Sequence, residues 1–318
     1  MNQVYKVLIG IPCFNEQDSI SECIESLLVT KKQMLSFNTE IIVINDGSYD
    51  QTVNILKDYN DRIEVLNSIN NYGLSEVFNS LMYFSKNNDI DYLVVFDSDR
   101  QYPSEDIPKM LQNAIENKAD LTIGSRDFKN NKIFSKTKNF LQISGSYIVS
   151  KILDQTVSDA TSGFRIYSKK AIDILFSNNE FTYTIETLFQ IKSKKLFINE
   201  FKISKFSETR KSRLFNSNLE YLKKTFPIII KSLLLYKTKT TIRLLSIILL
   251  VPGLIIISRF FIPYFTYGSN NGNTQSLIVG VGYLIMLFIT VAYFSIRTDN
   301  FKNYSILKKA LYKPKHTK

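Results

Sequence analysis

Histidine and cysteine are scarce in this chain: one His and two Cys among 318 residues. The histidine, His316, lies in a basic tail, which excludes histidine-based catalysis and a histidine-rich metal site. Cys13 and Cys23 are too few and too closely placed for a disulfide framework, and reduced thiols in the cytosol fit. No G-x-G-x-x-G follows the first apolar run, which weakens a simple dinucleotide-binding fold. The opening MNQVYKVLIGIP lacks a basic region followed by a long apolar stretch, so no signal peptide is expected. Between residues 260 and 296 there is no Lys, Arg, Asp or Glu at all.

That last absence belongs to a sharp change in composition after about Thr240. Leu244 to Phe265 and Leu277 to Ile296 are apolar runs, broken by charge only at Arg259. Each approaches the roughly 20 residues that cross a bilayer as a helix. A buried hairpin of a soluble domain is disfavoured, since neither run has a polar face. The tail carries Arg297, Lys302, Lys308, Lys309, Lys313, Lys315 and Lys318. By the positive-inside rule the tail and the large N-terminal part are cytoplasmic, with Thr266 to Ser276 outside, so a multi-pass cell-membrane protein is expected. Arg259 sits where it can snorkel to the outer interface. The net charge of +11 has its excess in Ser193 to Arg243 and in the tail, beside the spans. Anionic membrane lipid is therefore the expected partner rather than nucleic acid.

The N-terminal part is organised around Tyr92 to Pro103, YLVVFDSDRQYP. An apolar strand that ends in this way presents Asp97 and Asp99 at the carboxyl edge of a sheet, where open α/β sheets bind ligands. Carboxylates there suit Mg²⁺ or Mn²⁺, which commonly bridges protein oxygens to a substrate's phosphates. Gln101 adds a neutral oxygen from the same turn. D-x-D alone is a weak signal, but similar strand ends precede it. Strands are predicted over Val4 to Pro12, Glu40 to Ile44, Ile63 to Leu66 and Ala119 to Gly124. They alternate with helices over Asp18 to Thr30, Gln51 to Asp58, Gly73 to Lys86 and from a Ser104 cap to Glu116. The result is a mainly parallel α/β sheet with one functional edge.

Beyond Arg126 the pattern loosens. Lys129 to Lys138 reads as a mobile basic loop, Phe140 to Leu153 as a helix, and Ser158 to Ser168 as a loop returning to a strand. Tyr183 to Lys194 is a predicted helix in which Glu186 reads as a surface carboxylate, and Phe197 to Ile203 a late strand. Asn218 to Tyr236, with apolar residues on one side, lysines on the other and Pro227 within, fits a helix in the membrane interface.

In order, IPCFNE (Ile11 to Glu16), NDGSYD (Asn45 to Asp50), NYG (Asn71 to Gly73), DSDRQYP (Asp97 to Pro103), GSR (Gly124 to Arg126) and DATSGFR (Asp159 to Arg165) resemble the family 2 glycosyltransferases of GT-A fold. More narrowly they resemble the polyprenyl-phosphate and dolichyl-phosphate sugar synthases. The resemblance covers about the first 215 residues. With the apolar and charged runs described above, the expected division is a GT-A domain over 1–215, an amphipathic juxtamembrane helix over 216–240, a transmembrane hairpin over 241–296 and a basic cytoplasmic tail over 297–318. A homo-oligomer is plausible only by that resemblance.

The resemblance also implies roles. Pro12, Asn15, Glu16 and Asp46 would line a nucleotide-sugar pocket together with Asp97, Ser98 and Asp99. Asp97, Asp99 and Gln101 would hold Mg²⁺ or Mn²⁺ with the diphosphate. Arg126 would meet phosphate of the donor or of the acceptor. Asp159, Ser162, Gly163 and Arg165 would form the acceptor side, and Arg210 and Arg213 match a basic segment that closes near the acceptor phosphate. Plainer readings stand beside these: Arg126 and Arg165 could pair with carboxylates, Arg210 and Arg213 could contact lipid headgroups, and Asn15 and Glu16 could be a helix-capping turn. The chain departs from the family at Asn45, where aspartate is usual, and in its late basic motif, which lacks a glycine and has Arg213 where lysine is common.

The implied reaction is inverting transfer of a sugar from a UDP- or GDP-sugar to undecaprenyl or dolichyl phosphate, an acceptor already ionised and in need of no strong base. A glycan acceptor would need a base, with Asp159 the candidate. A catalytically silent nucleotide-binding membrane adaptor is the alternative from another class.

Overall fold

A computed structural model describes residues 4–128, 133–179, 182–207, 218–236, 238–267, 274–310 and 312–316. Arg210 and Arg213 lie outside the described residues. The seven strands are β1 (Tyr5–Cys13), β2 (Phe37–Asn45), β3 (Glu64–Asn67), β4 (Tyr92–Val95), β5 (Leu121–Ser125), β6 (Arg165–Ser168) and β7 (Ile198–Lys202). They form one sheet in the order β3-β2-β1-β4-β6-β5-β7. Alternation with helices makes most pairs parallel: β1 with β2 and β4, β2 with β3, and β5 with β7. The registers Cys13 with Asn45 and Asn45 with Asn67 end the first three strands on one line.

β6 runs against its neighbours β4 and β5, with Arg165 opposite both Val95 and Ile123. An antiparallel strand begins where its parallel neighbours end. The DATSGFR loop that feeds β6 is thereby delivered to the edge where β4 and β5 finish. Sequence periodicity indicated a returning strand there but not its direction.

The helices of this part are α1 (Ile20–Gln33), α2 (Thr52–Lys57), α3 (Leu74–Asn87), α4 (Ile107–Glu116), α5 (Lys136–Leu153), α6 (Lys169–Ile174) and α7 (Thr184–Ser193). Ile20, Cys23, Ile24 and Leu27 of α1 are buried, the stripe expected of a helix packed on a sheet. β1 is buried from Val7 onward and offers both faces to the core. Ser104 does not cap α4 as predicted: it opens a 3-10 turn (Ser104–Asp106), and Asp106 precedes the helix. The Asp106 carboxylate instead accepts a hydrogen bond from the Ser204 amide at 2.6 Å. α5 begins at Lys136, inside the segment expected to be a loop, because the Ser135 side chain accepts from the Lys138 amide and caps it.

The last helices are α8 (Asn218–Tyr236), α9 (Thr238–Tyr267) and α10 (Thr274–Ala310), and Pro227 lies inside α8. The chain divides into two compact units, one of Met1–Ile229 with Tyr312–Lys318, the other Ile230–Leu311. In the second unit, Ser246–Thr266 and Thr274–Tyr293 are long and apolar enough to cross a membrane, with mean hydropathies of 2.1 and 2.2. Their helices cross closely at small residues: a Cβ on Gly280 would lie 3.2 Å from the Gly253 carbonyl oxygen and 3.1 Å from the Ile257 amide.

Candidate active site

Four loops meet at the carboxyl edge of the sheet. The first two are interlocked. Asn15 stands at φ 55°, a left-handed conformation that asparagine tolerates better than most residues. Its amide donates to Ser48 Oγ at 2.8 Å, and its Oδ1 accepts from the Tyr49 amide at 3.0 Å. The Glu16 amide donates to Thr52 Oγ1 at 2.8 Å, and Glu16 Oε2 accepts from Ser19 Oγ at 2.7 Å. Pro12 sits beside this joint, and the carbonyl of its neighbour Cys13 accepts from the Asp46 amide at 2.8 Å. Asn45 uses its amide group internally, donating to Asn67 Oδ1 at 2.9 Å and accepting from the Ser48 amide at 3.2 Å.

Asp46 is buried where the second loop meets the start of α3. Its Oδ1 accepts from the Tyr72 amide at 2.9 Å and its Oδ2 from the Gly73 amide at 2.7 Å. Burial pushes this carboxyl up, but hydrogen bonds from His316, Tyr72 and Gly73 outweigh it and hold Asp46 below the usual aspartate range.

Asp97 and Asp99 follow β4, with buried Ser98 between them. The turn is shaped by Arg100 at φ 62°, whose side chain pairs with Glu22 at 2.5 Å, and by the Gln101 amide donating to Asp99 Oδ1 at 3.2 Å. Burial pushes Asp97 up to about 7, and the Asp99 charge adds to this while Arg126 opposes it. Gly163 lies against this carboxylate: a Cβ there would be 2.9 Å from Asp97 Oδ1 and 3.0 Å from Cγ. The missing side chain makes the room that Asp97 occupies.

Arg126, at the end of β5, meets Asp159 in a bidentate pair, Nε to Oδ2 at 2.6 Å and Nη2 to Oδ1 at 2.9 Å. Thr161 Oγ1 accepts a further hydrogen bond from Nη2 at 3.0 Å, and the rings of Phe128 and Phe206 flank the guanidinium. Asp159 is fully buried; burial raises it, yet the Arg126 charge and hydrogen bonds prevail and hold it below the usual carboxylate range. Burial also disfavours charge on Arg126, but Asp159 holds it protonated.

The same loop is anchored from behind by Arg165, which is completely buried. Its guanidinium donates to the carbonyls of Ser162 at 2.8 Å, Thr184 at 2.7 Å and Ala160 at 2.8 Å, and to Thr187 Oγ1 at 3.0 Å. Ser162 Oγ donates to the Gly124 carbonyl at 2.7 Å, tying the loop to the GSR turn. Arg165 and Ser162 thus set the loop's shape from inside the protein. Beside Arg126 a cleft of about 1000 Å³ opens, lined by Phe128, Ile143, Tyr147, Lys151 and Lys202 among others.

Asp97, Asp99, Glu16, Asp159 and Arg126 therefore come to one edge, while Asp46 lies where the second loop meets the start of α3. Two carboxylates brought together with partial burial, Asp97 driven toward protonation first by burial and then by the charge of Asp99, fit a divalent cation that neutralises both. Among the described residues no group of three or more His, Cys, Asp or Glu is placed to hold a metal. The chain's share of such a site would be the two aspartates, with Gln101 nearby and the rest left to phosphate and water.

Two residues escaped the sequence reading. Glu186 is buried, not on a surface; it accepts from the amides of Asn178 at 3.0 Å and Asn179 at 3.2 Å and from the Asn179 side chain at 2.6 Å. His316 is brought to Asp46, Nε2 to Oδ1 at 3.1 Å. Neither the α7 pattern around Glu186 nor the lysine-rich tail around His316 carries a local signal for these contacts.

A mainly parallel sheet with a D-x-D turn at its carboxyl edge and one antiparallel strand returning beside it is the architecture of the GT-A fold. The sequence model of glycosyl transferase family 2 matches residues 8–176, more than half of the chain, and the chain belongs to that family.

Among curated relatives, the chain is 29% identical over 177 residues to a dolichol-phosphate mannosyltransferase of Pyrococcus furiosus, covering 53% of this chain and 47% of that one. It is 27% identical over 215 residues to a UDP-N-acetylglucosamine–dolichyl-phosphate N-acetylglucosaminyltransferase of Methanococcus voltae, covering 61% and 83%. Several relatives are longer, and the match spans about half the length of the mannosyltransferase. Among solved structures, glucosyl-3-phosphoglycerate synthase of Mycobacterium tuberculosis, crystallised with Mn²⁺, UDP-glucose and phosphoglyceric acid, superposes with a TM-score of 0.56 at 16% identity, covering 72% of this chain and 79% of that one. That likeness is one of fold.

Proposed function

We propose that this protein is a membrane-bound inverting glycosyltransferase that moves a sugar from a UDP- or GDP-sugar to a polyprenyl phosphate at the cytoplasmic face. The observation that carries the choice of acceptor is the Arg126–Asp159 pair. Asp159 is the candidate base for a hydroxyl acceptor, and it is bonded at both oxygens by Arg126 and held ionised well below neutral pH. Such a carboxylate is a poor proton acceptor. A phosphate acceptor is already ionised and asks only to be positioned.

The roles of the remaining residues follow. Asp97 and Asp99 would hold the divalent cation, which when bound neutralises the diphosphate leaving group. Gly163 keeps the Asp97 carboxylate in place by leaving space beside it. Arg126 lines the adjoining cleft, where an acceptor phosphate would compete with Asp159 for its guanidinium. Asp46 offers a carboxylate to a nucleobase N–H. The two membrane-length helices and the relatives named for dolichyl phosphate support a lipid-borne acceptor. The domain bounds expected from the sequence place the chemistry before residue 216 and the membrane anchor after it.

Purified protein incubated with radiolabelled UDP- and GDP-sugars and undecaprenyl or dolichyl phosphate should place label in the organic phase in a form released by mild acid. Label appearing only on added glycans, with none on the lipid phosphate, would move the assignment to a glycan acceptor. Metal-independent donor binding without any transfer would favour a silent adaptor.

A further inference from the structure

The segment Tyr312–His316 belongs to the same compact unit as the α/β sheet. It fastens itself along the first half of α3. The Tyr312 hydroxyl lies 2.9 Å from both Ser80 Oγ and Glu76 Oε1, and its ring packs edge-on against Phe176 at 5.3 Å. Lys315 Nζ stands 4.4 Å from the centroid of the Tyr72 ring. His316 closes the segment, with Nδ1 2.9 Å from Ser80 Oγ and Nε2 3.1 Å from Asp46 Oδ1. Its side chain has no exposed surface.

An ionised carboxylate offers about four lone-pair positions. At Asp46 the Tyr72 amide at 2.9 Å and His316 Nε2 at 3.1 Å meet Oδ1 and the Gly73 amide at 2.7 Å meets Oδ2, while the Ser68 hydroxyl, 3.4 Å away, donates to the Asn70 carbonyl at 2.7 Å. The Tyr72 and Gly73 amides lead directly into α3. His316 alone arrives from a distant part of the sequence, and it is a flat heteroaromatic ring presenting one N–H in its plane. The imide N–H of a uracil or guanine ring is a donor of the same kind. A nucleobase reaching for Asp46 Oδ1 therefore meets an oxygen that His316 and the Tyr72 amide already occupy.

We propose that Tyr312–His316 is an internal competitor of the donor nucleotide: the His316 imidazole takes the place at Asp46 that a nucleobase N–H would take, and donor binding releases the segment. The inference rests on the reading of Asp46 as a wall of the nucleotide pocket. It gives the protein a resting state in which the donor site is closed by its own chain.

The test uses the full chain in detergent and measures UDP and GDP binding by titration calorimetry, for the wild type and for His316→Ala and Tyr312→Phe. The Tyr312→Phe change keeps the ring packing and removes only the hydroxyl. If the segment is seated in about nine molecules in ten, His316→Ala binds the preferred nucleotide about tenfold more tightly, with a smaller gain for Tyr312→Phe. A spin label on Lys313→Cys reports release directly, because Cys13 and Cys23 are both buried. Its spectrum should sharpen at saturating nucleotide. Equal or weaker binding by His316→Ala, or an unchanged spectrum with nucleotide bound, overturns the competitor and leaves the pocket standing. No binding of UDP or GDP by any form overturns the reading of the pocket, and the competitor with it.

Discussion

Replacing Asp97 by asparagine should stabilise the metal-free protein while abolishing turnover. Asp97 is driven from its ordinary 3.8 to about 7 by burial and by Asp99. A group whose acid form is favoured in the folded state binds protons more tightly there than in the unfolded chain. Its stabilising contribution is full below the unfolded value and is lost as pH rises through the folded one. For Asp97 that window runs from about pH 4 to above pH 7. At about 1.4 kcal/mol per pKa unit, the ionised form costs the fold at most about 4 kcal/mol at pH 8. Asparagine keeps the shape without the charge, and a gain of about 1–3 kcal/mol is expected once relaxation around the site is counted. For a unit of this size that is a rise in melting temperature of roughly 3–10 °C. Thermal unfolding in chelator at pH 5.5 and pH 8 should show the variant gaining over the wild type chiefly at the higher pH. Added Mn²⁺ should raise the melting temperature of the wild type alone. A variant less stable than the wild type at pH 8, or one with the same pH dependence, would refute this account of the pair.

Two further substitutions probe the loop opposite. Gly163→Ala puts a methyl group against the Asp97 carboxylate, so Mn²⁺-dependent donor binding should weaken by at least tenfold while the melting temperature in chelator changes by only a few degrees; unchanged metal dependence would show that Asp97 does not need that space. Arg165→Met strands the Ser162, Thr184 and Ala160 carbonyls and should cost about 3–5 kcal/mol in denaturant unfolding, with any folded fraction keeping wild-type nucleotide affinity; full stability would contradict its role as the loop's internal brace.

How much of this was legible in the sequence depends on how local its cause is. The β4 run and its two aspartates carry their own signature, since five apolar residues ending in D-x-D need no distant partner to be read. The same holds for β1, β2 and β5 and for the two long apolar helices. The direction of β6 was not legible, because Arg165–Ser168 is too short for periodicity to orient and only pairing with β4 and β5 decides it. Arg126 and Arg165 look alike in a sequence, each an arginine closing a glycine-containing motif. One is set beside an open cleft and the other is buried among carbonyls, a difference made by the fold alone. The longest-range feature, His316 on Asp46, joins residues 270 positions apart. Local propensity carries no trace of such a contact.

The central claim is that a lipid phosphate accepts a sugar at the Asp97–Asp99 edge. Its most direct test is release of nucleoside diphosphate by purified wild-type and Asp99→Ala protein, with a panel of UDP- and GDP-sugars, with Mg²⁺ or Mn²⁺, and with and without undecaprenyl or dolichyl phosphate. The account predicts release that requires the lipid phosphate and disappears in Asp99→Ala. Release that is indifferent to the lipid phosphate, or that survives the loss of Asp99, would contradict it.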